Sequence, residues 1–336
     1  YQEGMGDMRD KADRLQKLTE AIGKDWGFTA EEAADADRAA FLSKSDLATG
    51  MVTEFTELQG EMGKEYALLD GEKPEVAQAI FDQYMPRFAG DILPQQEIGR
   101  ALSLADKLDN LAATFLRGLI PTGSQDPFAL RRQTIGAVNI LTDGKIHWDI
   151  RRGIEAALAL LPGEEETKKT VLSQIEDFFR QRIKAIMLDE GIAYDIIDAV
   201  LAGPVDDIYA LFLRARSMAE SQLKGEAELR QAVTRLANIT KGKTGGKVDP
   251  SLFNEDVEKK LQDAFEAVSA KALPLFASYE YGKALPALKE LTAPINDYLD
   301  NVMVMVDDEA VKNNRISQLL ATLALFNTWG DFSKLV

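Results

Sequence analysis

Apolar residues recur every three to four positions along most of this chain, and this spacing limits the fold more strongly than any other feature of the sequence. In DMRDKADRLQKLTEAIG (7–23) the apolar residues would share one face of a helix that ends at Gly23. AEEAADADRAAFLSKSDLATGMVTEF (30–55) predicts a second long helix, with Thr29 as N-cap and Glu32 completing a capping box. The N-terminal region is therefore predicted to be helical.

The same spacing continues through the rest of the chain. Residues 93–118 predict a third helix, and residues 170–191 predict a fourth that Gly191 would end. Alternating patterns typical of strands are scarce, and the best candidate is GKIHWDI (144–150). Asp149 in that stretch could instead cap the helix that follows it. The predicted fold class is all-α.

Four stretches rich in Gly, Pro and polar residues interrupt the helical pattern. They are PTGSQDP (121–127), LPGEEE (161–166), AGP (202–204) and TKGKTGGKVDPS (240–251). The last of these is expected to be the most flexible loop. A chain of 336 residues with 46% hydrophobic residues can bury more than one core, so a multi-domain helical protein is predicted.

Composition excludes several classes of protein. The chain has no cysteine, so disulfides, thiolate metal ligands and a thiol nucleophile are excluded. Apolar runs such as residues 156–161 fall far short of the roughly 18 residues that a membrane span needs, and we expect no signal peptide. A cytoplasmic protein without membrane contact is expected. Because Tyr1 begins the chain within a helical pattern, a fragment of a longer protein is also expected.

The charge is unevenly distributed along the chain. A net charge of −16 argues against a generally basic protein that coats nucleic acid. However, residues 230–248 contain five Lys or Arg and no acidic residue, and residues 225–336 have 13 basic against 16 acidic residues, a net of −3. The segment could bind phosphate groups or could be a solvated helix end and loop, and composition leaves both interpretations open.

No motif for catalysis is present. The single histidine, His147, has no nucleophile motif beside it and is predicted to be structural, donating a hydrogen bond to a carbonyl. One imidazole cannot build the sites with two or three histidines that zinc and iron usually take. GKTGGK (242–247) lacks the spacing of a phosphate-binding P-loop. We therefore predict no catalytic residue and no metal site in this chain.

Four carboxylates leave a rival hypothesis open. Asp106 and Asp109 would lie on one helix face, and Asp46 and Glu54 precede them on an earlier predicted helix. Carboxylates alone can hold Mg²⁺, so these four could form a phosphohydrolase site. Most acidic residues at such spacing are solvated instead.

Five long blocks resemble one protein family in order and in sequence. They are residues 45–72, 84–94, 101–115, 121–132 and VMVMVDDEAVKNNRISQLL (302–320). Together they resemble the beta subunit of the bacterial heterotetrameric glycyl-tRNA synthetase, over the C-terminal half of that family's chain.

The resemblance implies a role in attaching glycine to its tRNA. In this family the alpha subunit holds the catalytic domain, so ATP and Mg²⁺ are expected there and this chain alone is expected to be catalytically silent. The implied partners are glycine tRNA and the alpha subunit, in a heterotetramer of two alpha and two beta subunits.

The resemblance also implies three domains. Residues 1–150 would form an HD-like helical domain that lacks the metal-binding histidine pattern, and that would serve as a scaffold. Residues 151–224 would form a helical connecting region, and residues 225–336 an anticodon-binding helical bundle.

Within the bundle, nine residues are predicted to bind nucleic acid: Arg230, Arg235, Asn238, Lys241, Lys243, Lys247, Lys312, Asn314 and Arg315. Arg235 and Asn238 could share one helix face with Gln231 and Thr234, where they would meet splayed anticodon bases. The glycine-rich segment 242–247 could close over phosphates.

The stretch VMVMVDDEAVKNNR (302–315) is predicted to complete one helix and begin the next. Its valines and methionines would pack in the core, and Asp307 or Asp308 would cap the following helix. An alternative for Asn314 and Arg315 is that they form hydrogen bonds between helices instead of contacting RNA.

Overall fold

A computed structural model describes residues 4–123 and 125–336 of the chain. Throughout those residues the secondary structure is helical, with sixteen α-helices and short 3₁₀ turns. The only β pairing in the described ranges is two isolated bridges, Thr122 with Gln125 and Asp149 with Asp207. The predicted all-α fold class is confirmed.

The chain divides into two compact units. Unit 1 comprises Tyr1–Ala185 with Val205–Tyr209, and unit 2 comprises Ile186–Pro204 with Ala210–Val336. The predicted three-domain boundaries at residues 150 and 224 stay a prediction. No helix in the described part of the chain is long and apolar enough to cross a membrane.

Unit 1 is built around one buried helix. Its helices are α1 Met8–Trp26, α2 Ala30–Leu42, α3 Gly50–Glu54, α4 Glu61–Leu69, α5 Pro74–Asp82, α6 Glu97–Leu116, α7 Leu130–Asp143, α8 Ile150–Ala159 and α9 Glu165–Asp189, of which the last extends into unit 2. Helix α6 packs against α1, α2, α5, α7 and α8. Because neighbours surround it, both its apolar residues and the charged side chains of Asp106, Lys107 and Asp109 are buried.

Unit 2 is a bundle in which α12, α13, α15 and α16 pack together. Its helices are α10 Tyr194–Val200, α11 Ile208–Glu220, α12 Ala227–Thr240, α13 Asp256–Ala277, α14 Leu285–Lys289, α15 Thr292–Asn301 and α16 Glu309–Asn327, and α11 begins in unit 1. The largest fully buried side chains of this unit include Tyr298, Phe326, Trp329 and Phe332. These aromatic rings form the core that fixes the positions of α12 and α16.

Two helix starts with side-chain caps follow the sequence signals closely. The Thr29 hydroxyl accepts a hydrogen bond from the Glu32 N–H, and the Glu32 carboxylate accepts one from the Thr29 N–H, so the predicted capping box is confirmed. Asp149 caps α8 by accepting from the Arg151 N–H at 3.0 Å. A cap, and not a strand, is therefore the structure of this stretch, apart from the single bridge at Asp149.

Helix ends follow the sequence less well. The predicted end of α1 at Gly23 is wrong, because the helix continues to Trp26 and Gly27 takes the left-handed conformation. Gly23 serves packing instead, since a Cβ there would lie 2.5 Å from the Phe28 ring. The predicted single helix over 30–55 is also wrong. Helix α2 ends at Leu42, and Thr49 caps a separate helix, α3, which begins at Gly50.

Candidate nucleic-acid interface

Helix α12 presents a polar face along an open groove. Arg230, Gln231, Thr234 and Arg235 line this groove of about 440 Å³, together with Ala227 and Leu335. The spacing predicts that Gln231, Thr234, Arg235 and Asn238 share one helix face, and the groove brings the first three together but does not include Asn238. Asn238, one turn further along, is exposed.

Both arginines of α12 have partners within unit 2. Arg230 donates to the backbone oxygens of Leu335 at 3.1 Å and Lys224 at 3.0 Å. Arg235 donates to Asn296 Oδ1 at 3.0 Å and to Asp300 Oδ1 at 2.5 Å. The Arg235 and Asp300 side chains are 42% and 62% exposed, so this ion pair contributes little to stability.

Three lysines occupy the segment that follows α12. Lys241, Lys243 and Lys247 are all exposed, and none has a salt-bridge partner among the described residues. Lys247 has the exposed carboxylate of Asp249 nearby, without a salt bridge to it. The segment 241–247 therefore concentrates positive charge at the surface of an otherwise acidic chain.

The lysine segment is fastened to α16. The Gly246 N–H donates to Ser317 Oγ at 2.8 Å, and Asn314 exchanges two hydrogen bonds with the backbone of Asp249, at 2.7 and 3.0 Å. A Cβ on Gly245 would lie 2.9 Å from Leu320 Cδ1, so the backbone approaches α16 closely. The flexible loop expected from composition is thus a loop with specific anchors.

The stretch VMVMV does not complete α15, and the predicted helix there is wrong. Helix α15 ends at Asn301, and Val302 has extended dihedrals of −107° and 121°. Val302 and Val304 are buried, whereas Met303 is 73% and Met305 is 54% exposed. The predicted core role of the methionines is therefore also wrong, because the alternation of the run places them on the outer side of an extended segment.

Asp308, one of the two predicted N-caps, caps α16. Its carboxylate accepts hydrogen bonds from the N–H groups of Ala310 and Val311 at 2.9 and 3.1 Å. Lys312, on the first turn, forms an exposed ion pair with Glu309. The start of α16 therefore follows the sequence-based prediction.

Arg315 lies inside the bundle. Its guanidinium donates to Glu258 Oε1 at 2.9 Å and Oε2 at 3.2 Å, and to the Met303 backbone oxygen at 2.8 Å. Burial works to raise the pKa of the Glu258 carboxyl, but Arg315 and two backbone N–H groups hold that pKa below its ordinary value. Arg315 thereby joins α16 to α13 and to the extended segment.

For Asn314 and Arg315 the structure thus shows the alternative role, hydrogen bonding between elements. Asn314 is 4% and Arg315 is 5% exposed. Direct RNA contact by these two residues stays a prediction. Sequence reasoning missed the exposed methionines Met303 and Met305, although the alternation V-M-V-M was a usable signal.

The four carboxylates of the rival hypothesis do not form a shared site. Asp106 Oδ1 lies 3.0 Å from both Lys11 Nζ and Lys44 Nζ, while Asp109 bonds Lys11 and Arg14. Cations thus occupy the positions where Mg²⁺ would have to bind, and they lower the pKa of Asp106 in spite of burial. Asp46 accepts from the Gly60 N–H at 2.6 Å, and Glu54 is exposed. No group of three or more possible ligands is arranged for a metal ion in the described ranges.

His147 lies in unit 1 beside Asp207. Its Nδ1 is 2.7 Å from the Asp207 carboxylate, and its ring contacts Tyr209 at a centroid distance of 4.9 Å. One partner of His147 is therefore a carboxylate, and its predicted hydrogen bond to a carbonyl stays a prediction.

The helical bundle of unit 2 belongs to a known class of domain. Residues 229–330 match the family model of the DALR anticodon binding domain. Residues 1–202 match the family model described as glycyl-tRNA synthetase beta subunit, and the chain belongs to that family. The resemblance seen in the sequence is confirmed.

Relatives match along the whole chain. It is 44% identical over 337 residues to the glycine–tRNA ligase beta subunit of Clostridioides difficile, covering 100% of this chain and 49% of that protein. It is 40% identical over 340 residues to the same subunit of Desulforamulus reducens, again covering 100% and 49%. The chain therefore spans about half the length of the curated relatives that it matches.

Proposed function

We propose that this chain is a tRNA-binding part of a glycine–tRNA ligase, and that unit 2 binds the anticodon arm of glycine tRNA. The observation that carries the proposal is the exposed lysine segment, in which Lys241, Lys243 and Lys247 form no salt bridge among the described residues, and only Lys247 has a nearby carboxylate, that of exposed Asp249. Unpaired surface lysines release counterions when they meet phosphates, and this release drives RNA binding even when the protein is acidic overall.

The proposed contacts divide into two kinds. Lys241, Lys243, Lys247, Lys312 and Arg230 would contact phosphates, whereas Arg235 and Asn238 would meet base edges along the groove of α12. Arg235 would exchange the exposed carboxylate of Asp300 for RNA.

Asn314 and Arg315 would act mainly by holding the interface in shape. Asn314 fixes the end of the lysine segment, and Arg315 fixes the backbone of Met303. The exposed side chains of Met303 and Met305 offer an apolar surface on which an unstacked base could rest.

We further propose that catalysis lies on the alpha subunit, so that this chain binds tRNA without performing chemistry itself. ATP and Mg²⁺ would then be needed only where the alpha subunit forms glycyl-adenylate. The expected assembly contains two alpha and two beta subunits in the cytoplasm.

The test is a salt series of tRNA binding. Glycine tRNA and the same tRNA with replaced anticodon bases are titrated with the wild-type chain and with Lys243→Gln/Lys247→Gln. Each lost phosphate contact should reduce the slope of log K against log salt by about 0.7 to 0.9. The matched control is Lys17→Gln/Lys24→Gln, which removes the same charge from exposed positions of unit 1.

The proposal requires that binding weaken when the anticodon changes. It also requires that the loop variant lower the salt slope while the control variant leaves it unchanged. Equal losses in both variants would show that only net charge matters, and binding indifferent to the anticodon would refute the proposed recognition.

A further inference from the structure

Unit 1 contains a second basic site, distinct from the proposed interface of unit 2. It is a cleft of about 420 Å³, which we call the lysine cleft. Residues of α1, α6 and α7 line it together with residues of the segments around 44–59 and 83–87. Its charged lining residues are Lys11, Lys44, Arg87, Asp106, Lys107 and Arg132. Five of these six are cationic.

Three lysines in this lining are almost fully buried, and their hydrogen-bonding capacity is used unequally. Lys11 Nζ is satisfied by Asp106, Asp109 and Asn110. Lys107 Nζ donates to the Met85 oxygen at 2.8 Å and to Ser103 Oγ at 2.7 Å.

Lys44 is the least satisfied of the three. Its Nζ has Asp106 Oδ1 as its only close oxygen partner among the described residues, and otherwise faces the Tyr84 ring at 4.5 Å. An ammonium group carries three donors, so Lys44 retains donor capacity inside the cleft.

The charges of the cleft do not balance. Lys11, Lys44 and Lys107 of the lining and Arg14 behind it are buried, and the buried carboxylates that interact with them are Asp46, Asp106 and Asp109. Asp82, which is also buried in unit 1, interacts with Gln78, Lys64 and Arg100 instead. Burial, together with the neighbouring lysines, lowers the pKa of Lys44, and it lowers the pKa of Lys107 to about 8. A buried excess of positive charge is costly unless an anion compensates for it.

Two further donors complete the site. At the exposed rim, Arg132 has no salt-bridge partner among the described residues, whereas Arg87 is paired with Asp91. Tyr84, which also lines the cleft, has a buried hydroxyl without a hydrogen-bond partner in the described part of the chain. Buried hydroxyl groups in folded proteins nearly always have a partner, so this one indicates a missing acceptor.

We propose that the lysine cleft binds a terminal phosphoryl group, of a small molecule or of an RNA end, with Lys44, Tyr84 and Arg132 as its donors. A phosphoryl group has several strong acceptor oxygens and a charge that matches the excess, and a cleft of this size admits a ligand as large as a nucleotide. The proposal does not rest on the anticodon-binding role of unit 2.

The experiment is calorimetric titration of the full chain with pyrophosphate, in comparison with chloride at equal ionic strength. Arg132→Gln and Tyr84→Phe each remove one donor without leaving a buried charge unpaired, and Tyr84→Phe keeps the ring that faces Lys44. Each variant is expected to bind pyrophosphate about tenfold more weakly. The control Arg152→Gln removes an exposed arginine outside the cleft and should bind as the wild type does.

Two competitors identify the source of the phosphoryl group. If a short RNA with a 5′-phosphate displaces pyrophosphate and the same RNA with a 5′-hydroxyl does not, the ligand is the end of an RNA. If neither RNA displaces it but a nucleoside triphosphate does, the ligand is a free small molecule. A pyrophosphate response no greater than that of chloride would overturn the proposal, as would an affinity that neither cleft variant changes.

Discussion

The buried ion pair between Arg315 and Glu258 allows a quantitative test of how unit 2 is held together. Arg315→Met removes a bidentate contact and the hydrogen bond to the Met303 oxygen, and leaves the carboxylate of Glu258, which is 0% exposed, without its counter-charge. Breaking a buried pair from one side costs about 3–5 kcal/mol in the free energy of unfolding.

A second substitution separates the cost of the lone charge from the loss of packing. Glu258→Gln keeps an oxygen that can accept from the N–H groups of Asn254 and Glu255, so the start of α13 remains capped. In the wild type it should be destabilising, because Arg315 loses its carboxylate partner. In the Arg315→Met background it should be neutral or stabilising, because it removes the unpaired charge.

The assay is urea unfolding followed by the fluorescence of Trp329, which is fully buried in unit 2. Trp26 and Trp148, the other two tryptophans of the chain, are replaced by Phe in every variant, so that only unit 2 is observed. The four combinations form a double-mutant cycle with an expected coupling of at least about 2 kcal/mol. If Glu258→Gln cost the same in both backgrounds, the ion pair would not be the feature that stabilises this junction.

Three further predictions follow from individual contacts. Asn314→Ala removes two hydrogen bonds to the Asp249 backbone and should cost about 2 kcal/mol, with faster proteolysis of the lysine segment as its direct readout. Gly153→Ala places a Cβ 2.2 Å from the Trp148 ring and should destabilise unit 1 by about 1–3 kcal/mol in thermal unfolding, whereas Gly203→Ala, in open space, should not. Because the pKa of Glu258 is lowered in the folded state, its stabilising contribution should be present above pH 4.5 and be lost as pH falls through the folded pKa. In Arg315→Met that loss should begin at higher pH, as acid titration of Trp329 fluorescence can show.

Local signals in the sequence were sufficient to place the helix starts that carry a side-chain cap, such as those of α2 and α16, whereas the helices predicted from residues 93 and 170 begin at Glu97 and Glu165. At the start of α2, the Thr29 side chain accepts a hydrogen bond from the Glu32 N–H. At the start of α16, the Asp308 side chain accepts from the N–H groups of Ala310 and Val311. Such contacts form within one turn, so their residues are adjacent in the sequence. Gly23 shows the limit, because its role depends on the position of the Phe28 ring and not on its own backbone preference.

The extended stretch 302–306 could not be placed from local signals alone. Its apolar character favoured a helix, but Arg315 bonds the Met303 backbone and is itself fixed by Glu258, which lies 57 residues earlier in the chain. Similarly, the spacing of Asp106 and Asp109 was visible in the sequence. Their partner Lys11, on another helix, could be found only from the fold.

The way in which the lysine segment is anchored explains how an acidic chain can keep a phosphate-binding surface. In unit 2, Arg315 is paired with the buried carboxylate of Glu258, so its charge is compensated, whereas Arg235 has only the exposed carboxylate of Asp300. The lysine segment is held instead by neutral groups, the Ser317 hydroxyl and the Asn314 amide. Since no carboxylate is used to fix the segment on α16, the charges of its lysines remain available. If ion pairs anchored the segment instead, their carboxylates would neutralise the positive charge that attracts the phosphates of RNA.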